Sequence, residues 1–417
     1  MTLERRKDFL TILVAIISGI KFRYLGTFYA GEILLYIMLF FISWRPIFNN
    51  RYASNIFKLA LLWLLSAYIT DIWVNNSIIN TLKGEFNIIF FMAQFPGVYW
   101  LLYDKPKRFL YFLIAVGVVS IPNLYLFGPE VDESDFGMMG ENIWLYYYLV
   151  PIAIGCISWL YYKGKITAPT ATIMMLCFGI FMLFHNSRNV FLTMTLSAIL
   201  LYQIDRTKGQ PFHRRVSMFR VRIVNIFIML FLGALIVNSV YESLASRHIL
   251  GEYAYQKYQT QIQADNILEG GRAETFMGIE LIRRKPIIGY GSYAMDKGDK
   301  FHKEFASTSG KKYRRPFEER RMPAHSHIVG AWMWNGIGGG IFWLYVLLLM
   351  WRVFRSGAML TESALLPGIL MTFTARIWEI LFSPFGLRIP ETFFLMFLTI
   401  IYNNFKNHNI KQPFLTN

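Results

Sequence analysis

Apolar runs near the length needed to cross a bilayer recur from one end of this chain to the other, separated by short basic stretches. A bilayer core takes about 20 mostly apolar residues per helix, fewer where the ends snorkel. Twelve segments meet that description, at 9–21, 29–44, 57–75, 86–103, 109–127, 142–162, 168–186, 189–204, 221–240, 326–351, 361–382 and 390–405. The expected fold class is therefore an all-α polytopic membrane protein of about 12 transmembrane helices. Composition agrees: 55% hydrophobic and 17% aromatic residues against 16% charged is too apolar for a soluble chain of 417 residues.

The net charge of +16 falls mostly in short clusters between the apolar runs. That placement points to anionic membrane lipid and to topology rather than to nucleic acid. With the N-terminus in the cytoplasm, every second loop is cytoplasmic and carries the bases, among them Arg45 with Arg51, Lys105 with Lys107 and Arg108, and Lys163 with Lys165. The opposite connection 127–141 holds five acids and no base. Both termini are thus expected in the cytoplasm. Met1 to Lys7 resembles a signal-peptide start, but no small-residue cleavage site follows and it reads as a retained first helix. Cys156 and Cys177 lie inside apolar runs and suggest neither a disulfide nor a thiolate metal site.

One long polar excursion, 241–325, interrupts this pattern and divides the chain into helices 1–9 (1–240), an external loop (241–325) and helices 10–12 (326–417). Helix parity places the loop outside. Its part 246–268 suits a surface helix. The run 273–284, with an acid early, bases late and Pro286 beyond, predicts a short helix. Gly289-Tyr290-Gly291 predicts a turn, and 296–322 is Lys/Arg-rich, weakly patterned and expected to be mobile.

Several residues are candidates for chemistry. Arg188, at an outer helix end, is either a snorkelling interfacial arginine or a phosphate clamp, since guanidinium matches phosphate oxygens in bidentate fashion. Arg272 follows Gly270-Gly271, a turn that permits close backbone approach before a helix N-terminus with free amides; the plainer reading is a flexible loop. His325 at the outer surface suits a general base. His325-Ser326-His327 is alternatively a metal pair or structural, though no carboxylate or cysteine nearby completes a metal site, and none is expected. Arg376 and Glu379, three apart inside an apolar run, form an ion pair or line a polar cavity. Lys83-Gly84 and Arg388 stand at outer helix ends, where they add charge to such a cavity or merely mark the boundary.

The run GRAETFMGIELIRRKPIIGYGS at 271–292, followed by PAHSHIVGAWMWNGIGGGIFW at 323–343, resembles the core of the O-antigen ligase and O-antigen polymerase superfamily. Ser187-Arg188 and Lys83-Gly84 fit the same pattern. The resemblance implies transfer of a glycan from an undecaprenyl-pyrophosphate carrier to an acceptor at the outer face of the bacterial inner membrane, without metal or other cofactor. It implies that Arg188 and Arg272 bind pyrophosphate and that His325 activates the acceptor hydroxyl. Gly271, Ser326, Lys83 and Arg388 join as substrate-binding positions. His325 rather than His327 has the family spacing, eleven residues before Gly336 and fourteen before Gly339. The expected function is ligation of a polysaccharide to a lipid A-core acceptor, with polymerisation of carrier-linked repeat units as the alternative. A transporter of lipid-linked sugars, the third reading, calls for broken helices near the midplane, whereas here the unusual residues gather at one face.

Overall fold

The structure, a computed structural model, describes residues 2–24, 26–127, 148–185, 187–212, 214–218, 243–249, 252, 255, 259, 267–308, 319–322, 325–383 and 388–411. The first part holds α1 (Leu3–Ile17), a hairpin of β1 (Lys21–Tyr24) and β2 (Gly26–Tyr29), α2 (Ala30–Met38), α3 (Arg45–Asn49), α4 (Arg51–Trp73), α5 (Ile78–Leu102) and α6 (Arg108–Phe127). Then come α7 (Val150–Tyr162), α8 (Ala168–Phe184) and α9 (Arg188–Asp205). The polar excursion contributes α10 (Ile267–Arg284), β3 (Met295–Lys297), α11 (Lys300–Thr308) and β4 (Glu319–Arg321). The chain closes with α12 (His327–Asn335), α13 (Ile337–Ser356), a 3-10 segment (Ala358–Leu365), α14 (Leu366–Phe382) and α15 (Ile389–Lys411).

Helix starts follow local chemistry. Asn50 caps α4 by accepting the N–H groups of Tyr52 and Ala53 at 3.0 and 3.3 Å, Ser77 caps α5, and Thr167 caps α8, whose second residue is Pro169. The Asn50 amide also donates to the Tyr99 hydroxyl and the Thr399 carbonyl, both at 3.2 Å, so one cap ties α4 to α5 and α15.

α4 shows what surrounds the bundle. Its inner face buries Ile56, Ala60, Trp63 and Ala67, while Leu61, Leu65, Ile69 and Ile72 are exposed on the other. A helix apolar all round needs an apolar medium outside. Arg51–Trp73, Ile337–Ser356 and Ala358–Phe382 are long and apolar enough to cross a membrane, and Arg108–Pro122, Val150–Tyr162 and Ala168–Phe184 are shorter apolar helices. Apart from its two hairpins, the described chain is an all-α integral membrane protein. The expected span 221–240 lies outside the described residues.

An aromatic core joins α4, α5, α6, α13 and α15. Phe112 stacks on Phe393 with centroids 3.8 Å apart, Phe109 on Phe397 at 4.4 Å, and Trp63 meets Phe342 at 5.1 Å. Such pairs contribute about 0.5–1.5 kcal/mol each beyond burial. At the end of the bundle holding the start of α1, Arg108 is fully buried and donates to Asp8 at 2.6 Å, Asp104 at 2.8 Å and the Leu101 carbonyl at 2.9 Å. Lys7 reaches Asp104 at 2.9 Å and lies over the Trp100 and Tyr103 rings. Burial alone would raise the Asp8 and Asp104 carboxyls, but hydrogen bonds from Lys105 and Arg108 to the first, and from Lys7 and Arg108 to the second, hold both below their ordinary range.

Four expectations are corrected. The single helix expected over 326–351 is two, broken at Gly336, whose φ is +77°. A Cβ there would stand 2.5 Å from the Ile287 carbonyl oxygen, which accepts the Ile337 N–H at 3.0 Å. The break is thus made by loop backbone inserted against it. Second, the helix expected over 29–44 covers only Ala30–Met38, and Glu32 supports its start by accepting the Tyr29 N–H. Third, the loop helix begins at Ile267 rather than 273, so Gly270 and Gly271 lie inside it. Fourth, 296–322 holds a strand pair and a helix at its ends; Met295 faces Arg321 and Lys297 faces Glu319.

Candidate active site

The site grows from the segment Pro286–Ser292, which runs from the end of α10 into the break between α12 and α13. The Tyr290 and Gly291 N–H groups donate to the carbonyls of Met333 and Trp334 at 2.8 and 2.9 Å. Gly289 permits this approach, since a Cβ would meet the Met333 oxygen at 2.5 Å. The next residue enters a buried polar network. The Ser292 N–H donates to Asp71 Oδ1 at 2.6 Å, and its hydroxyl takes Asn335 Nδ2 at 3.0 Å. The Asn76 amide bridges Asp71 at 2.7 Å and the Ser292 carbonyl at 2.9 Å. Asn335 is held in turn by Trp63 Nε1 at 3.1 Å, and its carbonyl by the Ser66 hydroxyl at 2.6 Å. Buried polar atoms in an apolar surround are stable only when so paired. The network fastens the loop to α4 and to the end of α12.

His325 stands just before α12 and is exposed. Its carbonyl accepts the Thr275 hydroxyl of α10 at 3.2 Å. Ser326 is fully buried: its hydroxyl accepts the Val329 N–H at 3.2 Å and donates to the Ile380 carbonyl at 2.9 Å. The hydroxyl therefore caps α12 and docks it on α14, a different role from the substrate contact the resemblance implies. Arg272 lies in α10 one turn before Thr275, within the helix and not at the Gly-Gly turn expected for it. No helix N-terminus follows it to supply free amides.

Arg188 is the first residue of α9 and is half-buried. The Thr374 hydroxyl of α14 lies 2.8 Å from that of Ser197 and 3.2 Å from the Thr193 carbonyl, which sets the two helices side by side. From Thr193 back to Arg188 is a rise of about 7.5 Å, and from Thr374 on to Ile380 about 9 Å. Arg188 and the Ser326–Ile380 contact thus sit at nearly the same height. Lys83 is exposed on α5 beside Gly84, where a Cβ would fall 2.1 Å from Ser292 Oγ, so it borders the same loop. Arg388 lies over the Tyr29 ring at 4.7 Å and lines a different cavity of about 270 Å³ with Glu32, Ser18 and Ser120.

Beneath His325, Arg376 donates to both Glu379 and Glu391, an ion cluster one carboxylate larger than the pair expected. Together with buried His327 and Trp343 it lines a narrow cavity, the His327 ring standing 4.9 Å from that of Trp343. Over the loop, Arg284 pairs with Glu304 at 2.6 Å, tying α11 to α10, and its hydrogen bond holds the Glu304 carboxyl below its ordinary value. Asp296, Asp299 and His302 bring potential metal-ligand atoms within 4.8 Å of one another. Asp296 already accepts the Phe301 and His302 N–H groups at 3.1 and 3.0 Å and contacts His302 Nδ1 at 2.6 Å, which fixes the turn before α11.

Lys83 thus borders the loop that leads toward His325, and Arg188 opens α9, which packs on α14, the helix on which Ser326 docks the start of α12. A family described as O-antigen ligase matches residues 171–344, from α8 into α13. The stretch similar to that family contains Arg188, Arg272 and His325. No curated protein matches the chain.

Proposed function

We propose that the chain is a glycan transferase that moves a polysaccharide from undecaprenyl pyrophosphate to a lipid A-core acceptor on the outer face of the bacterial inner membrane. The observation that carries this is the O-antigen ligase match over 171–344, which spans the three residues assigned to the chemistry. The exposed end of α12 and the outer ends of α9 and α14 supply the setting. The proposed topology is twelve spans with both termini cytoplasmic, in three parts, 1–240, 241–325 and 326–417.

In this reading Arg188 and Arg272 hold the pyrophosphate, whose leaving ability rises as its developing charge is compensated. His325, neutral, takes the proton of the acceptor hydroxyl while that oxygen bonds to the anomeric carbon. The bond from that carbon to the pyrophosphate oxygen breaks, and undecaprenyl pyrophosphate leaves with its electron pair. The basic segment 297–321 offers a docking surface for the phosphates of the acceptor core. Asp71, Asn76 and Asn335 position the loop without touching substrate.

Deletion of the protein tests the assignment. Long glycan chains accumulating on the polyprenyl carrier support the ligase. A single repeat unit left on the acceptor assigns the chain to the polymerase instead, since the donor chemistry is shared. Unchanged surface glycan sinks both.

A further inference from the structure

A second hollow lies at the opposite end of the helices from His325, where transfer chemistry has no use for it. The loop bearing Ser292 meets the end of α4 at Asp71 and the start of α5 at Gly84. The hollow instead meets the start of α4 at Asn50, the end of α5 at Tyr99 and Tyr103, and the last turns of α15. Its volume, about 460 Å³, is within the size range of small-molecule sites.

The lining is unusual for its asparagines. Asn49, Asn403, Asn404 and Asn407 face it together with Arg45, and no lining residue is an acid. Asn403 and Asn407 are four apart and so share a face of α15. Each amide offers two donors and an acceptor, a set that suits hydroxyls and phosphate oxygens, while Arg45 brings a permanent charge. The acid nearest in sequence to the lining, Asp104, is already held by Lys7 and Arg108 at 2.9 and 2.8 Å. The local field is therefore positive. Beside the hollow, Phe40 and Phe41 are 86% and 83% exposed, and Phe48 is 47% exposed. Exposed apolar rings this close in sequence to the lining residues Ser43, Arg45 and Asn49 call for an apolar medium beside the hollow.

We propose that this hollow binds the headgroup of an anionic glycerophospholipid, phosphate against Arg45 and glycerol hydroxyls against the asparagines, with the acyl chains along Phe40, Phe41 and Phe48. A free phosphate ester would satisfy the polar lining but leave the phenylalanines unused. The placement at the cytoplasmic surface rests on the topology proposed above; the binding itself does not rest on the transfer reaction.

The test is the thermal unfolding of the full-length protein in neutral detergent, with phosphatidylglycerol, phosphatidylcholine or glycerol 3-phosphate added. Phosphatidylglycerol is expected to raise the midpoint, and the other two are not. Arg45→Gln should weaken phosphatidylglycerol by about tenfold, with Arg45→Lys between, as expected when a forked charge-assisted contact is lost or reduced to a point charge. Asn403→Leu with Asn407→Leu should act likewise. Equal stabilisation by phosphatidylcholine, an equal effect of glycerol 3-phosphate, or an unchanged response in Arg45→Gln each overturns the proposal. Glycan transfer by Arg45→Gln should persist, so loss of the transferase reading and loss of the lipid site give different results.

Discussion

Asp71 accepts the backbone N–H of Ser292 at 2.6 Å, joining residues 221 positions apart, and that bond fastens the polar loop to a membrane helix. The same carboxylate oxygen takes the Asn76 amide at 2.7 Å. Replacing Asp71 by Ala leaves the buried Ser292 N–H without an acceptor and the Asn76 amide with the Ser292 carbonyl alone. The expected cost is about 1.5–3 kcal/mol of stability, the range for hydrogen bonds to a charged group. Transfer should fall further than stability accounts for, because the loop that leads to α12 loses its anchor. Parallel thermal unfolding and transfer assays in detergent check this. Asp71→Asn, which keeps an acceptor, should retain more of both.

Gly336→Ala should be more damaging than its size suggests. The residue has φ of +77°, and the new methyl would stand 2.5 Å from the Ile287 oxygen. With ψ of −168° this is a backbone region essentially restricted to glycine, and a non-glycine residue there costs roughly 1–3 kcal/mol before any clash. Poor yield or a lowered midpoint is the outcome to look for. Wild-type stability in this variant would mean that the break between α12 and α13 is not as described.

Much of this architecture is legible in the sequence, and the failures are instructive. Caps such as Ser77 and Thr167 act locally and can be read from a few residues. The break at Gly336 cannot, because the apolar pattern runs unbroken on both sides and the break comes from Ile287, some fifty residues earlier. Gly270-Gly271 read as a turn, yet the helix continues through them, since two glycines weaken a helix without ending it. Asp71 carries the same signal as Arg376, a charge inside an apolar run. Its partners at 76 and 292 are not linked to it by any local pattern. Ser326 shows that a motif position can be filled for structural reasons.

The Arg376 cluster should respond asymmetrically. Arg376→Ala leaves Glu379 and Glu391 facing one another; these side chains are half-buried, so the cost should be below the about 3–5 kcal/mol for removing one partner of a fully buried pair. Glu391→Gln leaves one ion pair and relieves the like charge, so its cost should be smaller. Unfolding midpoints of the two variants, measured side by side, decide the order.

Acid should loosen the other end of the bundle. Asp8 and Asp104 have carboxyls held below their ordinary value of 3.8. Groups depressed in the folded state stabilise it above the unfolded pKa and lose that contribution as pH falls through the folded value. The loss is therefore expected below about pH 4, visible as a falling midpoint. In Asp104→Asn the midpoint should start lower and fall less.

The central claim, that His325 is the base for the acceptor hydroxyl, is tested most directly by the transfer rate of His325→Ala with a purified carrier-linked donor and acceptor. Because the side chain is exposed, stability should stay within about 0.5 kcal/mol of wild type. The rate should drop by about 10²–10⁴-fold, the usual contribution of a positioned proton acceptor. A folded His325→Ala protein that transfers glycan at the wild-type rate would contradict the account.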